Sequence, residues 1–146
     1  LPIFEPQQEC FSKLSKACGW DSRNTAIPFG ASDRKAQLQF SAGNDGRQAT
    51  VDDGGDVIIN VTTIDEAVKG PVTFIKMDIE GSELEALHGA EQTILKNRPK
   101  LAICIYHKAE DIVEIPKYIM SLGLDYQYYI RHHQRYSGTE TVFYAV

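Results

Sequence analysis

The feature that most constrains this chain is its alternation of short, β-branched apolar runs with segments of helical period. Residues 1–5 form a short, mostly apolar run closed by Glu5 and ended by Pro6, as a buried strand does. Pro6 then opens a helix, where its missing N–H costs nothing. Phe11, Leu14 and Cys18 follow at helical spacing, and Gly19 is a C-terminal stop. Residues 25–29 form a second apolar run, ended by Gly30-Ala31-Ser32, and residues 36–40 alternate apolar with polar, as a half-exposed strand does. Residues 41–55 are rich in Gly, Asn and Asp and are expected to form a mobile loop. A β-branched strand is predicted over 57–61.

Thr63-x-x-Glu66 and Ser82-x-x-Glu85 have the spacing of capping boxes. The first predicts a short helix ending at Gly70-Pro71. The second predicts one helix ending near Asn97-Arg98-Pro99, with Leu84, Leu87, Ile94 and Leu95 as its buried stripe. Residues 72–77 and 101–105 are apolar enough for strands buried on both faces. Residues 110–122 have helical character, but Pro116 cannot sit deep inside without breaking a hydrogen bond. A single turn, then a helix from Pro116 to Gly123, is expected. Residues 126–131 and 141–146 are β-rich, with a turn-prone Ser137-Gly138 between them, and predict a closing antiparallel hairpin. The order of elements predicts a single α/β domain over residues 1–146, with a mostly parallel sheet covered on both faces.

Composition narrows the function classes. The formal charge is −5, from 15 basic and 20 acidic residues, so no basic face for nucleic acid is expected. No apolar run approaches the roughly 20 residues of a membrane span. Cys10, Cys18 and Cys104 are widely spaced and form no CxxC pair, which argues against a disulfide framework and against structural zinc. A reduced, cytoplasmic protein is expected. The chain opens Leu1-Pro2-Ile3-Phe4-Glu5-Pro6 without an initiator methionine or a secretory signal, so its natural start is expected upstream.

In an open parallel sheet, ligands sit beyond the carboxyl ends of the strands. The polar residues there are Glu5, Gly30-Ala31-Ser32, Asp78 with Glu80, and His107. An acid such as Glu5, ending a strand, can accept both ribose hydroxyls of a nucleotide; it can equally be a solvated strand end. Asp78 and Glu80 would point to one side if their strand stayed extended through Glu80. Strands joined by a helix usually lie side by side, which would bring His107 to these two carboxylates. Such a trio could hold a divalent cation or orient a general base. Arg131-His132-His133 lacks metal-ligand spacing, and His88 is expected to be a packing or surface residue.

The stretch Phe74-Ile75-Lys76-Met77-Asp78-Ile79-Glu80-Gly81-Ser82-Glu83-Leu84-Glu85-Ala86-Leu87-His88-Gly89-Ala90 resembles the signature of the FkbM-type methyltransferases. The likeness continues through Arg98-Pro99-Lys100-Leu101, Ile105-Tyr106-His107-Lys108, Ile115-Pro116, Tyr129-Ile130-Arg131-His132-His133 and the closing strand. Phe4-Glu5-Pro6 is similar to the family's second-strand acid. The resemblance implies a Rossmann-like class I methyltransferase sheet with an antiparallel C-terminal hairpin. It implies S-adenosylmethionine as cofactor and O-methylation of a hydroxyl on a sugar or other small acceptor. Glu5 would meet the cofactor ribose, and Gly30, Ala31 and Ser32 would lie near its adenine. His107, Asp78 and Glu80 would border the methyl-transfer site, with a divalent metal as an option.

The family's first strand and glycine-rich loop precede the Phe-Glu-Pro motif, and three residues precede it here. An N-terminally truncated domain is therefore expected, weak in cofactor binding and able to associate through exposed sheet edges. A noncatalytic interaction module is the alternative. A dinucleotide-dependent oxidoreductase would share the strand-end acid but leave residues 78–82 unexplained.

Overall fold

The computed structural model describes residues 1–42, 49–51, 57–135 and 139–146. Its elements run β1 (Pro2–Phe4), α1 (Gln8–Cys18), β2 (Thr25–Ile27), β3 (Gly30–Ala31), β4 (Ala36–Ala42), β5 (Ala49–Val51), β6 (Val57–Thr62) and α2 (Ile64–Ala67). They continue β7 (Phe74–Met77), α3 (Glu83–His88), α4 (Glu91–Asn97), β8 (Lys100–Cys104), α5 (Asp111–Ser121), β9 (Tyr128–His132) and β10 (Thr141–Ala145). The predicted alternation and the closing hairpin are both present.

The sheet is not one continuous, mostly parallel layer. β1 and β2 pair alone in parallel; β3, β6, β4 and β5 form a second sheet; β7, β8, β10 and β9 form a third. The β1–β2, β3–β6 and β7–β8 pairs are parallel, whereas β4–β6, β4–β5, β8–β10 and β9–β10 are antiparallel. Pro28 explains one break: without an N–H it cannot continue the ladder of β2. The chain steps across it, and Gly30 starts a new pairing with β6. Between residues 41 and 55, β4 reaches Ala42 and Ala49–Val51 pairs back on it, so that part of the expected loop is a hairpin. The rest of that stretch, and the Ser137-Gly138 turn, lie outside the described residues.

The main core lies between the third sheet and α3, α4 and α5. Ile75, Met77, Leu101, Ile103, Phe143 and Ala145 face Ala86, Leu87, Ala90, Ile94, Ile115 and Ile119. β7 is not buried on both faces as expected. Ile75 and Met77 are buried, but Phe74 is 53% exposed and Lys76 is exposed too, because β7 is an edge strand with only its inner face packed on the core. β1 is likewise only half-buried.

The predicted helix through residues 82–97 is two helices, broken at Gly89-Ala90. The Gly89 carbonyl accepts the Asp65 N–H at 3.0 Å. A Cβ at Gly89 would fall 1.9 Å from the Ser32 carbonyl oxygen, so only glycine lets the two backbones approach this closely. The break also retunes the stripe: Leu87 and Ile94 are buried, Leu84 is half-buried and Leu95 is exposed. The start of α4 is capped from outside. Asp65 in α2 accepts the Thr93 N–H at 2.7 Å and the Gln92 N–H at 3.1 Å.

α5 runs unbroken through Pro116, against expectation. Pro116 removes one hydrogen bond, to the Ile112 carbonyl in the exposed first turn, while Ile115 and Ile119 bury the face that holds the helix in place. Half of the Thr63 capping box forms: its hydroxyl accepts the Glu66 N–H at 3.1 Å, while the Glu66 carboxylate accepts from the Thr62 hydroxyl at 3.4 Å, and α2 stops at Ala67, short of Gly70-Pro71.

Candidate active site

The parallel β7–β8 pair places the ends of two strands side by side, with Met77 opposite Ile103. Asp78 and Glu80 follow β7, and His107 follows β8. The expected convergence occurs: His107 Nε2 is 3.6 Å from Asp78 Oδ1 and 3.5 Å from Glu80 Oε2. The route differs from expectation. β7 ends at Met77, and Glu80 (φ 57°) and Gly81 (φ 92°) turn through the left-handed region. A non-glycine residue there carries strain, of a kind that clusters at functional sites. Gly81 also needs to lack a side chain, since a Cβ would sit 3.1 Å from Lys108 Cε and 3.6 Å from His107 Cβ.

Glu83 belongs to this group although its part was not expected from the sequence. Its side chain is 0% exposed, its Oε1 accepts the Ile79 N–H at 2.8 Å, and the same oxygen lies 2.9 Å from His107 Nδ1. That last contact is poorly aligned for a hydrogen bond, and among the described residues Oε2 has no donor. The Ser82 hydroxyl does not cap α3; the Glu83 carboxylate closes the turn before the helix instead. A signal was present: Glu83, Ala86, Leu87, Ala90 and Ile94 follow helical spacing, and all are buried.

The carboxylates differ in environment. Burial opposes the charge of Asp78, but the Tyr106 hydroxyl (3.0 Å), the Cys104 thiol and Lys76 (3.3 Å) outweigh it and hold its carboxyl below the usual range. Cys104 is in turn pushed up to about 12, by burial first and then by Asp78. For Glu80, burial and the charges of Asp78 and Glu83 outweigh His107 and raise its pKa. For His107, burial favours the neutral ring, but Glu83, Glu80 and Asp78 together outweigh burial and raise its pKa. Among the described residues, no three His, Cys, Asp or Glu side chains are arranged to hold a metal ion. The Nε2 contacts of His107 with Asp78 and Glu80 become ion pairs only when the ring is protonated, and the divalent-cation option gains no support.

A cleft of about 270 Å³ runs from this cluster to the first sheet. Its lining includes Glu5 at the end of β1, Gly30, Ala31 and Ser32, the apolar Ile59 and Val61, and Asp78 with Glu80. Glu5 Oε1 accepts the Gln7 N–H at 2.9 Å, which turns the chain into α1. Every residue singled out for cofactor or catalysis lines this cleft except His107. That imidazole, 9% exposed, sits behind the carboxylates rather than at the surface of the cleft.

The remaining histidines do not enter it. His132 Nδ1 meets Thr141 Oγ1 at 2.9 Å, His133 Nε2 meets the Tyr144 hydroxyl at 3.0 Å, and His88 packs on Tyr118 with ring centroids 4.2 Å apart. Among the described residues, no helix is long and apolar enough to cross a membrane.

Comparison with known proteins follows the same outline. The family model of the methyltransferase FkbM domain matches residues 3–129. The crystal structure of methyltransferase FkbM from Methylobacillus flagellatus KT is similar to this chain, with a TM-score of 0.78 and 31% sequence identity. The likeness covers 99% of this chain and 36% of that one, so this chain spans about a third of its length. No curated protein sequence matches significantly.

Proposed function

Because the chain belongs to the FkbM methyltransferase family, we propose that its cleft binds S-adenosylmethionine and methylates a hydroxyl on a sugar or other small molecule. The observation that carries this reading is that Glu5, Gly30–Ser32 and the Asp78/Glu80 pair, from three separate strand ends, line one cleft. The donor set suits the nucleoside part of the cofactor. Among the described residues, one Glu5 carboxylate oxygen has no protein donor and is fit to accept from ribose hydroxyls, and Ile59, Val61 and Leu38 offer an apolar wall beside Ala31 for adenine. When bound, the cofactor supplies an electrophilic methyl group on sulfur.

The chain's own groups would then act on the acceptor. An alcohol is a weak nucleophile and gains from a base that takes its proton. Glu80 is that base: it lines the cleft, and its raised pKa brings it closer to a proton acceptor's working range. Asp78, tied to Tyr106 and Lys76, keeps its charge and orients the polar edge. His107, behind both, receives the proton from Glu80. The three free cysteines accord with a reducing cytoplasm as the working compartment.

Calorimetric titration with S-adenosylhomocysteine tests the cofactor half. Weak but saturable binding that Glu5→Ala weakens further is expected, and a chain that takes up no ligand overturns the reading. Glu80→Gln should lower turnover by roughly 10²–10⁴ while leaving cofactor affinity unchanged.

A further inference from the structure

Glu83 is a carboxylate with no exposure; one oxygen accepts the Ile79 N–H and lies 2.9 Å from His107 Nδ1, and the other has no donor among the described residues. Holding such a group dry is costly unless it serves a charge. The neighbouring imidazole is where a charge can form, since His107 Nε2 stands 3.5 Å from the cleft-lining Glu80.

Building on the reading of Glu80 as proton acceptor, we propose that Glu83 is a positioning residue acting through His107. It keeps the ring proton of neutral His107 on Nδ1 and leaves Nε2 open toward Glu80. The acceptor's proton passes to Glu80 Oε2 and from there to His107 Nε2. Glu80 returns to a carboxylate, and the imidazolium that results is balanced by Glu83. No electron is gained or lost, and the proton later leaves to solvent. The arrangement has the logic of a carboxylate–imidazole pair in acyl-transfer enzymes, where the buried acid fixes the tautomer and stabilises the charged ring.

The groups facing His107 come from each neighbouring element. Asp78 and Glu80 follow β7 and Glu83 opens α3; the Tyr106 ring lies 4.1 Å away, centroid to centroid. Lys108 packs its stem on Gly81 and reaches Glu85 at 3.7 Å. Asp111 of α5 accepts the Lys108 N–H at 3.1 Å, and its own carboxyl is raised by burial and by Glu83. The effect of Glu83 on the His107 titration is separable from these neighbours because, among the described residues, Glu83 is the carboxylate paired with Nδ1, whereas Asp78 and Glu80 lie at Nε2.

The test is nitrogen-15 NMR of the histidine rings, with the His107 signals identified by their loss in His107→Gln. In the unsubstituted chain above the ring's titration, the neutral ring should carry its proton on Nδ1; a proton on Nε2 overturns the proposal. In Glu83→Gln, which keeps the oxygen that accepts from Ile79, the His107 midpoint should fall by roughly 1–3 pH units. Glu83→Asp should recover part of that fall. An unmoved midpoint in a folded Glu83→Gln chain also overturns the proposal. If that variant does not fold, the tautomer in the unsubstituted chain decides alone. Neither readout uses the cofactor or turnover, so failure to bind S-adenosylhomocysteine counts against the proposed function and not against the coupling of Glu83 to His107.

Discussion

Glu80 follows a strand whose sheet is backed by the main core of the molecule, whereas Glu5 follows a strand with a single partner and a helix that buries little. Behind the first lie Leu101, Ile103 and Phe143, all essentially inaccessible. Behind the second, α1 buries only Cys18, and Trp20 just past its end is 93% exposed. The local patterns of the two regions are equally strand-like and helix-like. What separates them is cover: β8 has neighbours on both edges and three helices against one face, while β1 has β2 alone. The Asp78, Glu80 and His107 cluster thus rests on the well-packed half and Glu5, the acid proposed to meet a ribose, on the lightly packed half. Propensity is common to both, and tertiary burial accounts for the difference.

The largest expected effect sharpens this contrast directly. Phe143→Ala should cost about 3–5 kcal/mol of unfolding free energy in denaturant titration, whereas Leu14→Ala on half-buried α1 should cost about 1 kcal/mol. Equal losses would break the comparison. Next comes the place where the two halves touch. Gly89→Ala drives a methyl group into the Ser32 carbonyl and should cost about 3 kcal/mol, the upper end of overpacking, read by the same titration. A smaller loss would mean that the lightly packed half gives way, which is itself informative.

The third effect belongs to the ligand. Glu5→Ala should weaken S-adenosylhomocysteine binding by about 1.5–3 kcal/mol in calorimetry, with little change in stability. The smallest is a slope with pH. The folded pKa of His107 is raised, so its stabilising contribution is complete below its unfolded value near 6.5 and is lost as pH rises through the folded value. Denaturation midpoints measured across that window should decline in the unsubstituted chain and flatten in His107→Gln.

The convergence of the candidate site was legible in the sequence because it depends on two robust rules. Polar residues ending strands mark the ligand edge, and a helix between two parallel strands makes them neighbours. Together these put Asp78, Glu80 and His107 in one place. The depth ordering among them was not legible. Whether His107 or Glu80 faces the cleft depends on the left-handed turn at Glu80-Gly81, which strand alternation does not anticipate. Glu83 was hidden by its type, since an acid in a first helical turn reads as a complement to the helix dipole. The errors in the fold share a cause. Pro116 within α5 and the break at Gly89 are set by distant packing, from Ile115 and Ile119 in one case and Ser32 in the other.

The cap on α4 bears on the order in which the chain can assemble. The helix has seven residues, too few to persist by itself in water, and its first free N–H groups are satisfied by Asp65, 27 and 28 positions earlier. A conventional cap comes from the residue next door and is available as soon as the helix nucleates. Here the cap arrives only once α2 has docked, so α4 closes after a long loop has been drawn in, at the entropic cost such closure carries. Loosening β6 and α2 would strip two hydrogen bonds from α4, and α4 leads straight into β8, the strand that His107 follows. The proposed binding half and the proposed reacting half are in this way tied together through the Asp65 side chain.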